Sequence, residues 1–356
     1  MPGARTVRTT AKIITPAAAH SLSHSMDKTS GRTAILAIAL TCALSACNPP
    51  GDPQQSWEMA AKGVYSASMS ANGERSIVGS IHHGGSLWAT SKGERLYNWN
   101  HQSATQSNII ASGFSPEGDF ALTADHQTMV LWNAVSGEAV TFWTAPNEVM
   151  SVALTRNGTM ALLGLEDYSA VLFDVKRGGI KRTFYHDDRV RSVALSSDDR
   201  LAITGSEDYT ARLWDLEQGR QLFNWRHEGE VVTVAISPKG DKALTVAKYD
   251  RAALWDTQSG EELGQLPLQK AALKRGQSFT SAVFSANGNL LLTGNAQRLV
   301  QLWDTATLTE QASWEVPKRE AFRPTSAAIV AVSFSDRDNR YYAIGSDGFS
   351  HLLVSP

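Results

Sequence analysis

Histidines and carboxylates recur along this chain at spacings that raise two chemistries, metal ligation and proton relay. His82 and His83 stand in tandem, and two adjacent imidazoles would suit a transition metal if further ligands converged on them. His101, His186 and His227 each close a short alternating segment, while Asp125, Asp167, Asp208 and Asp347 recur near one type of turn. An acid or base serving one reaction is needed once, so this recurrence reads as structure. The three histidines and the four aspartates are expected to be structural rather than catalytic, and His82-His83 to lie in a surface turn. No Gly-rich phosphate loop, nucleophile elbow, His-Glu-x-x-His or EF-hand pattern occurs. The expectation is a protein without catalytic residues, metal or cofactor. Ten tryptophans invite an alternative in carbohydrate or aromatic recognition. Nearly all of them occupy repeated strand positions, where large rings fill space between packed sheets.

The elements that hold these residues repeat. A Leu-Trp-Asp-like tripeptide returns as Leu87-Trp88-Ala89, Leu131-Trp132-Asn133, Leu172-Phe173-Asp174, Leu213-Trp214-Asp215, Leu254-Trp255-Asp256 and Leu302-Trp303-Asp304. A worn seventh copy, Leu352-Leu353-Val354, follows near the end. The marker aromatics lie 44, 41, 41, 41 and 48 residues apart, with 50 more to Leu353. That period with a tryptophan marker predicts the blades of a β-propeller. The fourth unit is the clearest, with strands predicted at 190–196, 201–206, 210–215 and 220–226 and turn residues between them. First-hairpin turns such as Ser115-Pro116-Glu117-Gly118 and Ser237-Pro238-Lys239-Gly240 combine a preset proline φ with a glycine that accepts positive φ. No segment carries a helical period long enough to compete.

On these markers and turns, residues 52–356 resemble the WD-repeat β-propeller family. The resemblance implies an all-β, seven-bladed ring whose blades are often locked by a His, Ser/Thr, Asp and Trp relay. The fourth unit matches every position with His186, Thr204, Asp208 and Trp214. A buried indole N–H needs an acceptor, which the hydroxyl, imidazole and carboxylate extend. Other units depart: His82 stands at the Asp position of blade one, Tyr249 in blade five and Gln297 in blade six. Blades two and seven have a shorter second turn, so they are expected to rely more on apolar packing. The fourth strand of each unit ends in its own motif, as in Phe223-Asn224-Trp225-Arg226-His227. Gln55-Ser56-Trp57-Glu58 reads the same way with no strands before it, so residues 53–60 are expected to complete the last blade and close the ring.

The amino end predicts a compartment. Residues 34–46 form an apolar run after Lys28 and Arg32, short for a bilayer span and of the length of a signal-peptide core. It ends in Leu44-Ser45-Ala46-Cys47, which resembles a bacterial lipobox. That resemblance implies cleavage before Cys47 and acylation of its thiol and amino group, with several chains giving stable anchoring. Residues 1–46 thus read as a leader, with Met26 as the favoured true start because it gives a signal of ordinary length. Residues 47–55 read as the lipidated cysteine and a Pro-rich tether, and residues 56–356 as the propeller. Asn48 after the cysteine favours the outer membrane, facing the periplasm. Cys42 and Cys47 are the only cysteines, which leaves no disulfide for the propeller.

The chain holds 33 Lys and Arg and 35 Asp and Glu; five of the former and one of the latter precede Cys47, leaving a formal −6 after it. An acidic body without a basic run argues against nucleic acid and against electrostatic binding to anionic lipid. The leading expectation is a monomeric, membrane-anchored scaffold that binds proteins of the cell envelope. The alternative is a ligand-binding or enzymatic propeller that uses its central channel. Residues that break from the repeat on the loops of one end are the expected contacts: Arg189, Tyr209, Lys248, Tyr249, Arg251 and Arg298, joined by Arg275 and Arg319 from two basic insertions at 268–278 and 316–325.

Overall fold

The structure is a computed structural model that describes residues 49–102, 106–268, 278–319 and 327–355. Twenty-eight strands form seven four-stranded antiparallel sheets. Blades one to six are consecutive meanders over residues 64–98, 111–144, 149–185, 190–226, 231–266 and 279–315. Blade seven takes three strands from residues 329–354 and its outer strand from Gln55–Glu58. In that pair Gln55 lies opposite Leu352 and Glu58 opposite Phe349. Before entering blade seven, the chain runs beside blade six, where the Gly51 amide donates to Ser313 O at 2.8 Å and Gly51 O accepts from Glu315 at 3.0 Å. One short segment therefore fastens two blades. The first strand of each blade packs on the first strand of the next, and blade seven returns to blade one.

The core is not central but divided among the seams. Each of the seven buried apolar clusters joins two neighbouring blades, such as Ala211, Leu213 and Ile203 of blade four with Val231, Val234 and Trp255 of blade five. This is the repeat solution to a chain too long for one core: each blade buries its faces on its neighbours. Second strands are covered on both sides, so Leu201–Ser206 is buried from Ala202 onward and shows no apolar-polar alternation.

Two sequence motifs meet at these seams. The outer-strand aromatic of one blade lies against the last-turn glycine of the next: Trp57 at Gly93, Tyr97 at Gly137, Trp143 at Gly178 and Phe223 at Gly260. At Gly93, φ is +61° and a Cβ would stand 2.3 Å from the Trp57 ring, so a side chain is excluded both by conformation and by space. Outer-strand indoles also bond forward. Trp99 donates to Gly137 O at 3.0 Å, Trp143 to Val175 O at 2.8 Å, Trp225 to Gly260 O at 3.0 Å and Trp314 to Val354 O at 3.1 Å.

Candidate functional site

The relay of blade four is complete. Trp214 Nε1 donates to Thr204 Oγ1 at 2.9 Å, and Thr204 Oγ1 lies 2.7 Å from His186 Nε2. Because the indole can only donate, the threonine is free to pass its own proton to Nε2, which leaves the Nδ1 proton for Asp208 Oδ2 at 2.9 Å. Burial lowers the His186 pKa and keeps the ring neutral, although Asp208 opposes the shift. Burial alone would raise Asp208, but hydrogen bonds from His186 and Thr210 hold it well below the usual carboxylate range. Every strong donor and acceptor in the chain is used, the arrangement of a lock rather than of a reactive centre.

Other blades correct the expectations. Blade two has a full relay despite its shorter turn: Trp132 donates to Thr123 at 2.8 Å, Thr123 meets His101 Nε2 at 2.8 Å, and Asp125 lies 3.2 Å from His101 Nδ1. In blade five the carboxylate comes from Asp250, 3.3 Å from His227 Nδ1, and not from the position of Tyr249. The turn there shifts by one residue, which brings the next side chain under the imidazole. Blades one and six stop at the hydroxyl, with Trp88 on Ser86 at 2.9 Å and Trp303 on Thr293 at 2.8 Å. His82 and His83 are exposed on the blade-one turn. No group of three metal-ligating side chains occurs among the described residues.

Three of the expected contact arginines bond within the fold. Arg319 donates through Nη1 to Ala60 O at 2.9 Å and Asp347 O at 2.7 Å, pairs with Glu58, and lies over the Phe349 ring at 5.1 Å. It binds the closing strand to the last turn of the chain. Arg298 donates to Val316 O at 2.8 Å and pairs with Glu315, and Arg251 reaches Arg226 O at 3.3 Å and Glu262 at 3.6 Å. All three satisfy carbonyls at turns where a sheet ladder ends. Arg275 lies outside the described residues, as does Cys47.

The remaining candidates share one face. Second turns and entry loops are tied together there, with Glu207 N donating to Arg189 O at 3.0 Å and Lys248 N to Glu230 O at 2.8 Å. Arg189 reaches Glu207 at 2.7 Å within blade four and Glu166 of blade three at 3.8 Å, so the face is continuous across that seam. Tyr168, Tyr209 and Tyr249 occupy second turns of blades three, four and five and are 50%, 46% and 70% exposed. Beside them an open polar depression of about 480 Å³ is lined by Asn147, Glu166, Asp167, Tyr168, Asp188 and Arg189.

Seven meander sheets in a ring, with a Trp-Thr-His-Asp relay inside two of them, already narrow the family. The model of the WD domain, G-beta repeat, matches residues 178–215 and 272–304, the first of which ends on the blade-four Trp214-Asp215. The chain is a WD-repeat β-propeller. No curated protein matches it. WD-repeat propellers commonly serve as protein-interaction scaffolds.

Sequence reasoning missed one feature of this WD-repeat ring, the hydroxyls that stitch its inner strands. Ser66 donates to Ile109 O at 2.7 Å, Ser151 accepts from Val193 N at 3.1 Å, and Ser192 accepts from Val234 N at 3.0 Å. Thr233 donates to Phe279 O at 2.8 Å, Thr280 to Ile329 O at 2.5 Å and Ser333 to Ser70 O at 2.8 Å. Each bond crosses a seam. For Ser66, Ser151, Ser192 and Thr233 the signal was a hydroxyl third in the inner strand, as in Val190-Arg191-Ser192 and Val231-Val232-Thr233. It reads as ordinary alternation until a β-bulge after the first residue turns it toward the neighbour.

Proposed function

We propose that this propeller is a non-catalytic protein-binding platform of a bacterial cell envelope, held to the membrane, outer rather than inner, by acylated Cys47. The observation that carries the platform reading is the contrast between interior and face. The relays of blades two and four use repeated residues whose polar groups are paired inside the ring. The second turns of blades three to five present exposed tyrosines that neither the relays nor the seams use. Large exposed aromatic side chains on a rigid frame are what a protein contact uses, because little conformational entropy is lost when they bind. The anchor reading rests on the lipobox resemblance at Leu44–Cys47.

Two measurements test it. Mass spectrometry of the mature amino terminus should find a triacylated Cys47; an intact 34–46 segment on the cellular protein overturns the anchor. Crosslinking in cells followed by affinity purification should recover a specific envelope protein with the parent, and lose it with Cys47→Ala. Recovery of nothing above background overturns the platform.

A further inference from the structure

Resting on that platform reading, we propose that the tyrosines of blades three to five form an arc that receives an arginine- or lysine-bearing segment of a protein partner. The first observation is their backbone. Tyr168, Tyr209 and Tyr249 have φ of 72°, 67° and 63°, the left-handed region that bulky side chains avoid. The fold shows which residue suits such a turn: in blade seven the corresponding acceptor of the following amides is Gly348, at φ 91°. At blades three and four the same carbonyl accepts from His186 N and His227 N at 2.8 and 2.9 Å, a task that any residue able to reach this conformation performs. The phenol rings are therefore not needed by the turn, and three successive blades carry them toward solvent.

Charge decides the occupant. The basic side chains of this face are already paired: Arg189 and Arg191 share Glu207, Arg212 meets Asp208, and Lys248 meets Glu230 at 3.5 Å. Asp167, Asp188 and Glu228 form no salt bridge among the described residues. Two of these three line the depression between blades three and four, next to the Tyr168 ring, where Glu166 adds a third carboxylate against the single guanidinium of Arg189. The face thus keeps an excess of negative charge beside aromatic surfaces. A cation gains from both, through a salt bridge to the carboxylate and attraction to the ring face. The chain contains an example of the second contact: Lys248 Nζ stands 5.4 Å from the centroid of Tyr249. An anionic or purely apolar segment would lose by comparison, since it would bring no countercharge to Asp167, Asp188 and Glu228.

The test titrates the full chain with fluorescein-labelled (Arg-Gly-Ser)4 and with its Glu counterpart at low salt. Two variants accompany it, Tyr168→Asn/Tyr209→Asn/Tyr249→Asn and Asp167→Asn/Asp188→Asn/Glu228→Gln. Asparagine tolerates the left-handed region better than tyrosine, so the tyrosine variant should melt at or above the parent temperature. The expected result is at least tenfold tighter binding of the arginine peptide than of the glutamate one. Each variant should weaken it at least tenfold, and so should raising salt from 50 to about 300 mM. Equal binding of the two peptides, or unchanged affinity in the tyrosine variant, overturns the proposal. A photocrosslinking amino acid at Tyr209 in cells separates the two readings. Capture of a protein through a segment without Lys or Arg leaves the platform standing and sinks this inference. Capture through a basic segment supports both.

Discussion

Trp225 of blade four lies flat on Trp255 of blade five, with ring centroids 4.9 Å apart and planes within 18°. The same two rings end different bonds. Trp255 donates backward into its own blade, to Thr245 at 2.7 Å, while Trp225 donates forward to Gly260 O at 3.0 Å. Trp99 and Trp132 repeat the stack at the seam of blades one and two, at 5.0 Å. Phe184 takes the outer position against Trp214, at 4.9 Å. The tryptophans thus divide into a set that locks blades and a set that joins them. Trp225→Phe keeps most of the stack and loses the hydrogen bond, so it should cost about 1 kcal/mol. Trp225→Ala should cost about 3–5 kcal/mol through lost burial and a cavity. Denaturant unfolding of the two variants checks the ratio, and equal losses would count against the stack.

Thr204 is the hinge of the blade-four relay because two partners depend on one oxygen. Thr204→Val leaves Trp214 Nε1 and His186 Nε2 buried without a partner. It should destabilise by about 2–4 kcal/mol, more than the loss of a single hydrogen bond, because the desolvation of both groups goes uncompensated. Adding Trp214→Phe removes one orphan, so the double variant should be less destabilised than the sum of the two single ones. Strict additivity in a double-mutant cycle would show that the relay is not coupled.

How much of this was legible depends on repetition. Seven units, their turns and the full blade-four relay could be read because each copy reinforces the others. Asp250 could not: a one-residue shift in the blade-five turn replaces the aligned Tyr249 with its neighbour, and only the path of the backbone shows which side chain meets His227.

Acid should loosen the closing blade. His351 is buried in blade seven with Nδ1 2.8 Å from Ser56 of the closing strand, and burial lowers its pKa to about 4 from 6.5. Between these values the unfolded chain binds the proton and the folded one does not. Stability from this group is therefore complete above pH 6.5 and lost as pH falls toward 4, by on the order of 3 kcal/mol at most. His101, His186 and His227 are shifted the same way by burial and act in the same direction. Melting followed from pH 7 to 4.5 should show a fall that is smaller in His351→Gln; identical pH slopes would remove His351 from the account.

The Arg319 latch predicts a local effect. Arg319→Met retains much of the side-chain volume but drops the bonds to Ala60 O and Asp347 O and the pair with Glu58. Charged donors to carbonyls make this a loss of about 2 kcal/mol. It should appear first as faster proteolysis near residues 55–60, before the other blades unfold. Protection of that segment equal to the parent would mean that strand pairing alone closes the ring.

The amino-acid sequence by itself determined the all-β class, the number of units, the turn glycines and the structural role of the tryptophans. Those are local patterns, set by backbone preference and by apolar period within about 41 residues, and written several times over. Only the tertiary structure decided where long polar side chains point. Arg319 reads from its neighbours as part of a basic loop, yet it bonds to carbonyls of residues 60 and 347, which the closure of the ring brings beside it. Arg251 and Arg298 turned inward for the same reason, while Tyr168, Tyr209 and Tyr249 stay exposed. A flexible cation goes to the nearest unsatisfied oxygen, and which oxygen is nearest is a property of the folded ring.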